Sequence, residues 1–357
     1  MKDIKRSLLV VIGYLGAIIG AGFASGQEIV QFFVVYGNYG LKGAVLSGAF
    51  FAIFGMMLFY IAHLKGISNY QAMLAYILGS KLGMIADFML AIFLFLGTST
   101  MLAASGAVFY EHLYLSKNLG IFLACFLVIF FLIMGRKGLF MSYNILVPVK
   151  ILLLLAISGY AAFGIEARPV EAYTAFMFPQ NMKFWFLSSL LYVAYNFALA
   201  LVVLTEYQTV TSFHTGILGA GLGGIVLGVL IIFTYDALGR FLPSVMFYEV
   251  PMLYVSGNIS RTVKYVYTAV LWVGILTTAI ANVYGFAQRF AHFSGISYQI
   301  CLVLCIALAL PLSLQSFSSL VGVVYPLFGL LGMVILFALA YKTIKDIAEQ
   351  IYYNIRK

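Results

Sequence analysis

The residues able to do chemistry in this chain are few, and the informative ones fall in three apolar stretches. The first is Ile12–Gln31, reading IGYLGAIIGAGFASGQEIVQ, in which Gly13, Gly16, Gly20, Gly22 and Gly26 come in close succession with Ser25, Gln27 and Glu28 among or just after them. Glycine weakens a helix by about 1 kcal/mol relative to alanine, and unsatisfied backbone groups in hydrocarbon are costly. A membrane helix that breaks here therefore implies that its freed N–H and C=O groups line a cavity and hold a solute or an ion. Gly16–Gly20 and Gly22–Gly26 also fit close helix packing through small residues, but packing does not account for Gln27 and Glu28. The second stretch is GILTTAIAN, with Gly274, Thr277 and Thr278 one turn apart. Hard cations take oxygen ligands, which two hydroxyls and freed carbonyls would supply. The competing reading is local, with each hydroxyl bonded back to the Gly274 carbonyl. The third is Lys150 in YNILVPVKILLLLAI. A lysine at membrane depth marks function by default, against snorkelling to an interface or pairing with carbonyls loosened by Pro148.

These residues must be positioned by helices in a bilayer. The chain is 64% hydrophobic and 9% charged, against about 25% charged in soluble proteins. Apolar runs are continuous, without period-two alternation, which favours a helical polytopic membrane protein over a β-barrel. No cleaved signal is expected, because no small-residue cleavage site follows Lys2, Lys5 and Arg6. The net charge of +9 comes from basic residues between spans and does not point to nucleic acid. Cys125, Cys301 and Cys305 lie inside apolar spans, so neither a disulfide framework nor a metal cluster is implied. His63, His112, His214 and His292 are scattered near span ends. An enzyme finds no support.

Ten transmembrane spans are expected: 7–36 (interrupted), 41–63, 81–113, 119–134, 139–163, 184–207, 216–238, 262–290, 296–314 and 320–345. The segment 239–261, with Pro243 and Pro251, reads as a re-entrant or surface hairpin. A polar external loop at 165–183 separates a first five-helix repeat, 1–164, from a second, 184–345, and 346–357 forms a cytoplasmic tail. An odd number of spans per half inserts the halves in opposite orientations, the arithmetic of an inverted repeat. The distribution of Lys and Arg places both termini in the cytoplasm, at the cell membrane. The sixth span then pairs with the first. Its polar centre, Tyr192, Tyr195 and Asn196, is not rich in helix breakers, so a break at Tyr195–Ala198 follows from the repeat and not from composition. The third and eighth spans pair likewise, with Thr98, Ser99 and Thr100 in one and Thr277 and Thr278 in the other. Asp87 and Asp236, near span ends, receive no role.

IIGAGFASG resembles the glycine break in the first helix of the amino acid–polyamine–organocation superfamily, whose fold is the five-plus-five LeuT type. The form GAGFASGQE is most similar to the YkvI-type membrane proteins of that superfamily. GILTTAIA resembles the sodium-site segment of LeuT-type symporters. The resemblance implies sodium ligands at Thr277, Thr278 and the Gly274 carbonyl, joined by the Gly16 and Ile19 carbonyls. Lys150 departs from that pattern and is similar to the lysine of proton-coupled or exchanging members, whose amine replaces the sodium. The implied substrate segment comprises Gly20, Ala21, Gly22, Phe23, Ala24, Ser25 and Gly26 with Tyr192, Tyr195, Asn196, Phe197 and Ala198. Glu28 and Thr98 are added from the residues themselves. The expected activity is ion-coupled symport of a small organic solute, an amino acid or related compound, by alternating access. A half-helix starting near Gly26 would aim its positive end at a carboxylate of that solute. A non-transporting receptor or sensor on the same fold is the alternative. No cofactor is expected beyond Na⁺ as coupling ion. The sequence does not specify an oligomeric state.

Overall fold

A computed structural model describes residues 2–133, 136–164 and 181–355, with side chains left undescribed for most of 133–150 and at the edges of these segments. The chain is nearly all helical. In order the α-helices are α1 (Lys2–Ile18), α2 (Ala21–Ser25), α3 (Gln27–Phe32), α4 (Asn38–Lys65), α5 (Tyr70–Leu78), α6 (Ser80–Ala107), α7 (Lys117–Ile133), α8 (Arg136–Gly164), α9 (Trp185–Glu206), α10 (Phe213–Gly239), α11 (Pro251–Ile259), α12 (Arg261–Ser294), α13 (Tyr298–Ser313) and α14 (Phe317–Ile355).

Among the described residues, six helical segments are long and apolar enough to cross a bilayer: Asn38–Lys65, Ser80–His112, Trp185–Val210, Phe213–Gly239, Arg261–Ser294 and Phe317–Tyr352. Shorter apolar helices occupy Lys117–Leu132, Ile151–Gly164 and Tyr298–Ser313. The difference from ten has a physical cause in the first span. Its chain is divided among three helices, and α1 stops after 17 residues. The expected external loop and the Lys150 side chain lie outside the described residues.

Glycine decides how closely the helices approach. α4 and α10 cross at Gly48 and Gly228, where a Cβ on Gly48 would come within 2.6 Å of the Gly228 Cα. Such contact through small residues supplies dispersion energy where lipid offers no hydrophobic drive. Large apolar residues such as Leu82, Met84, Phe122, Phe126, Leu218 and Val323 face outward, as a lipid-facing surface requires. Within the bundle, α9 packs against α4 and α14, and α12 against α6.

One expectation is corrected. α9 runs unbroken through Tyr195–Ala198, with the Asn196 amide donating to the Tyr192 carbonyl at 3.1 Å. It contains no Gly or Pro, and the polar centre alone does not open it. α14 runs on as far as Ile355, into the segment read as a tail. Asp346 holds it down by accepting from the Tyr76 hydroxyl at 2.8 Å and pairing with Lys65 at 3.2 Å. The segment after α10 is a hairpin: a short 3₁₀ turn, Ser244–Phe247, leads into α11.

Candidate functional site

The first span leaves the helix at Ile19 and Gly20. In a continuous helix the Gly20 N–H would serve the Gly16 carbonyl, but here it turns to the Ile18 carbonyl at 2.7 Å. Gly20 is extended and begins α2. A second interruption falls at Gly26, whose φ of +84° lies in the left-handed region, where only glycine rests without strain. Three carbonyls further along the first span are met by hydroxyls from the second half of the chain. Tyr267 of α12 donates to the Ala24 carbonyl at 2.6 Å, Ser188 of α9 to Phe32 at 2.9 Å, and Tyr235 of α10 to Gly37 at 2.6 Å. A backbone away from water needs such partners. Ser25 serves its own turn, donating to the Gly22 carbonyl at 2.7 Å and accepting from the Gln27 N–H at 3.1 Å.

Beside the break lies a cavity of about 770 Å³. Its wall includes Gly16, Ile19, Gly20, Ala21, Gly22 and Glu28 from the first span, Tyr195 and Asn196 from α9, and Thr277 and Thr278 from α12. Three segments distant in sequence thus meet around one space. Glu28 is 4% exposed, and Tyr195 Oη donates to its Oε2 at 2.6 Å. Its other oxygen folds back onto the bare Gly22 Cα, where any Cβ would overlap it.

Other expected residues are packed away from this wall. Phe23, Ala24, Ser25 and Gly26 are fully buried or turned aside, Gly26 against Met252 and Leu238. Tyr192 is wedged among Phe32, Phe33 and Phe51, and Phe197 against Phe54. Thr98 bonds back to the Leu94 carbonyl at 3.0 Å, and its neighbours Gly97 and Met101 line the cavity instead. The start of α3, where a solute carboxylate is expected, has an acidic residue of its own. That first turn carries Glu28.

Thr277 and Thr278 each donate to the Gly274 carbonyl at 2.9 Å. Their protons are therefore directed inward, which leaves oxygen lone pairs for a cation. The Gly274 carbonyl is engaged twice and is absent from the cavity wall. Gly16 and Ile19 lie on that wall. The donor set of Thr277, Thr278 and the freed first-span carbonyls suits a hard cation.

The cavity mouth holds residues that the sequence reading left without a role. Asp87 is 6% exposed and accepts from Arg289 at 3.1 Å, from Tyr70 at 3.0 Å and from Gln71 at 3.1 Å. The Arg289 guanidinium also lies 5.1 Å from the Tyr70 ring centre. The helix α5 that brings Tyr70 and Gln71 was not expected. Its signal was Asn69, whose side chain caps the Gln71 and Ala72 N–H groups at 2.7 and 3.3 Å. On the other side of the break is a smaller cavity of about 310 Å³, lined by Gln31, Phe32, Tyr36, Ser188, Met246 and Pro326, among others. Phe32 and Tyr195, with ring centres 5.6 Å apart, stand between the two spaces.

This architecture is the LeuT-type transporter fold. It aligns with MhsT in complex with L-phenylalanine at TM-score 0.61, with 17% identity over 91% of this chain and 87% of that one. It aligns with the manganese transporter of Eremococcus coleocola at 0.60, with 12% identity over 92% and 76%. It aligns with Mhp1, a nucleobase-cation-symport-1 family transporter, at 0.55, with 14% identity over 89% and 74%. No protein-family profile matches the chain. The membrane protein YkvI of Bacillus subtilis (strain 168) is 30% identical over 332 residues, covering 92% of this chain and 94% of that one, and the chain belongs to the YkvI family. YyaD of the same organism is 25% identical over 326 residues, covering 91% and 93%.

Proposed function

We propose that the chain is an ion-coupled secondary transporter of a small organic solute, an amino acid or related compound, working by alternating access at the cell membrane. The observation that carries this reading is the cavity at the Ile19–Gly20 break, which gathers a buried carboxylate and two threonines from distant segments. One neighbour of the same fold, MhsT, has been seen in complex with L-phenylalanine, a solute of this class.

Counting α1 to α3 as one pass, the chain makes five passes with α4, α6, α7 and α8, then five more with α9, α10, α12, α13 and α14. The two sets insert in opposite orientations as an inverted repeat. The basic bias puts both termini in the cytoplasm, and the cavity then opens towards the cytoplasm past Asp87, Arg289 and His292. Sodium is the coupling ion in this reading, held by Thr277, Thr278 and the carbonyls of Gly16 and Ile19, with Gly274 fixing the hydroxyls. A second reading, proton coupling or exchange through Lys150, is favoured by the packing of α8 against α12 and α1.

Counter-flow of radiolabelled amino acids in proteoliposomes tests transport itself. Binding without flux would identify a sensor. Running the same uptake in sodium and choline buffers separates the ions. With sodium, Thr278→Ala abolishes the difference between buffers. Uptake equal in both buffers, steep in pH and made flat by Lys150→Ala, would select the proton reading instead.

A further inference from the structure

Two side-chain amides on the cavity wall have hydrogen-bonding capacity that no group among the described residues takes up. Asn196 of α9 is 3% exposed and lines the cavity. Its amide donates to the Tyr192 carbonyl at 3.1 Å. A carbonyl only accepts, so the NH₂ is the end that faces it, and Oδ1 is left as an acceptor for the cavity. Asn282 of α12 keeps both functions. It belongs to the helix face Thr278, Asn282, Gly285 and Arg289, which lines the cavity as far as its mouth. Among the described residues neither its NH₂ nor its Oδ1 has a hydrogen-bond partner. Gly97 of α6 makes room for this amide, since a Cβ there would come within 2.8 Å of the Asn282 Nδ2. Phe93, one turn before Gly97, packs on Tyr195 with ring centres 6.2 Å apart. Asn282 and the Tyr195–Asn196 turn therefore approach one stretch of α6, about 6 Å apart along it.

We propose that Asn196 and Asn282 bind a carboxamide group of the solute, with Phe93, Met101 and Leu199 beside its hydrocarbon part. The inference rests on the transporter reading of the cavity and names a functional group of what enters it. Polar groups away from bulk water are paired with few exceptions, so open amides on a cavity wall point to an occupant. Water fills that role in the empty cavity, and a solute displaces it without loss only by reproducing its bonds. A carboxamide does so. Its C=O accepts from the Asn282 NH₂, one N–H returns to the Asn282 Oδ1, and the second N–H is free for the Asn196 Oδ1. A carboxylate has no N–H and sets its oxygens against both Oδ1 atoms. An ammonium has nothing with which to accept from Asn282. A site built to pair such groups rejects solutes that leave them unpaired.

Calorimetry on the purified full chain at neutral pH compares valeramide with valerate, pentylammonium and N,N-dimethylvaleramide, which keeps the carbonyl and has no N–H. Valeramide binds at least about tenfold tighter than each of the three. Asn282→Leu abolishes that preference. Gly97→Ala leaves both amides in the chain but pushes the Asn282 amide aside. It weakens valeramide several-fold and decides the matter if Asn282→Leu does not fold. Equal binding of valeramide and N,N-dimethylvaleramide, tighter binding of valerate or pentylammonium, no valeramide binding, or a preference unchanged in a folded Asn282→Leu, would each overturn the proposal. Counter-flow of radiolabelled amino acids, L-glutamine and L-glutamate among them, separates this inference from its basis. Asn282-dependent valeramide binding without flux of any of them keeps the carboxamide site and removes the transporter. Flux whose ratio of glutamine to glutamate is unchanged by Asn282→Leu keeps the transporter and removes the carboxamide site.

Discussion

The first span and α9 border the same cavity from two halves of the chain, yet one is interrupted twice and the other not at all. Both carry polar residues at the same depth, Ser25, Gln27 and Glu28 in one and Tyr192, Tyr195 and Asn196 in the other. The difference is glycine. Asn196 bonds within α9 and Tyr195 across to Glu28, so neither opens the helix, whereas Gly20 and Gly26 adopt backbone conformations that leave it. In these two spans the polar residues mark the side that faces the cavity, and the glycines of the first mark where it opens.

Proline substitution breaks or sharpens this contrast most strongly. Ala198→Pro in α9 removes a helix bond and clashes with the preceding turn, costing about 3 kcal/mol or more, and thermal unfolding should drop sharply. Ala21→Pro falls at the first position of α2 after an extended Gly20, where proline is tolerated, and should leave unfolding nearly unchanged. Equal effects would dissolve the distinction. Next in size, Gly26→Ala forces a side chain into the left-handed region at about 1–2 kcal/mol and presses on Met252. Its stability loss should be visible by the same measurement. In hydrogen exchange, the amides of Tyr195–Ala198 should be protected longer than those of Ala21–Phe23, and the reverse order would place the opening in α9.

The smallest expected effect lies away from both spans. Burial, only partly offset by the Phe317 N–H and Lys117, pushes the Glu249 carboxyl above its ordinary value. A raised carboxyl stabilises the fold below its unfolded value of about 4.5, and that contribution is lost as pH rises through the folded value. Glu249→Gln keeps an acceptor for Phe317 and should flatten the stability profile over that interval. A slope unchanged by the substitution would assign the pH dependence elsewhere.

Much of the site was legible because the glycines, the threonine pair and Glu28 announce themselves in apolar surroundings. What was not legible depended on contacts between distant residues. Asp87 near a span end looks like an ordinary solvated acid until Arg289, Tyr70 and Gln71 are brought to it. Thr98 and Thr277 look alike in sequence, but helix rotation turns one away from the cavity and the other onto its wall. Phe93 and Tyr325 are two among many aromatics until they face Tyr195. The expected break in the sixth span came from symmetry between the halves, and local composition overrode it.

The hydroxyls that receive the carbonyls of Ala24, Phe32 and Gly37 come from three different helices, α12, α9 and α10. Sliding the interrupted segment by about an ångström or more would strand the Ala24 and Phe32 carbonyls away from water, at about 1–3 kcal/mol each, while the Gly37 carbonyl would keep the Gly40 N–H. The segment is thus tethered at three points and has no gradual travel. It moves with the helices that hold it, or it lets go of one tether at a time and stops where another donor takes over.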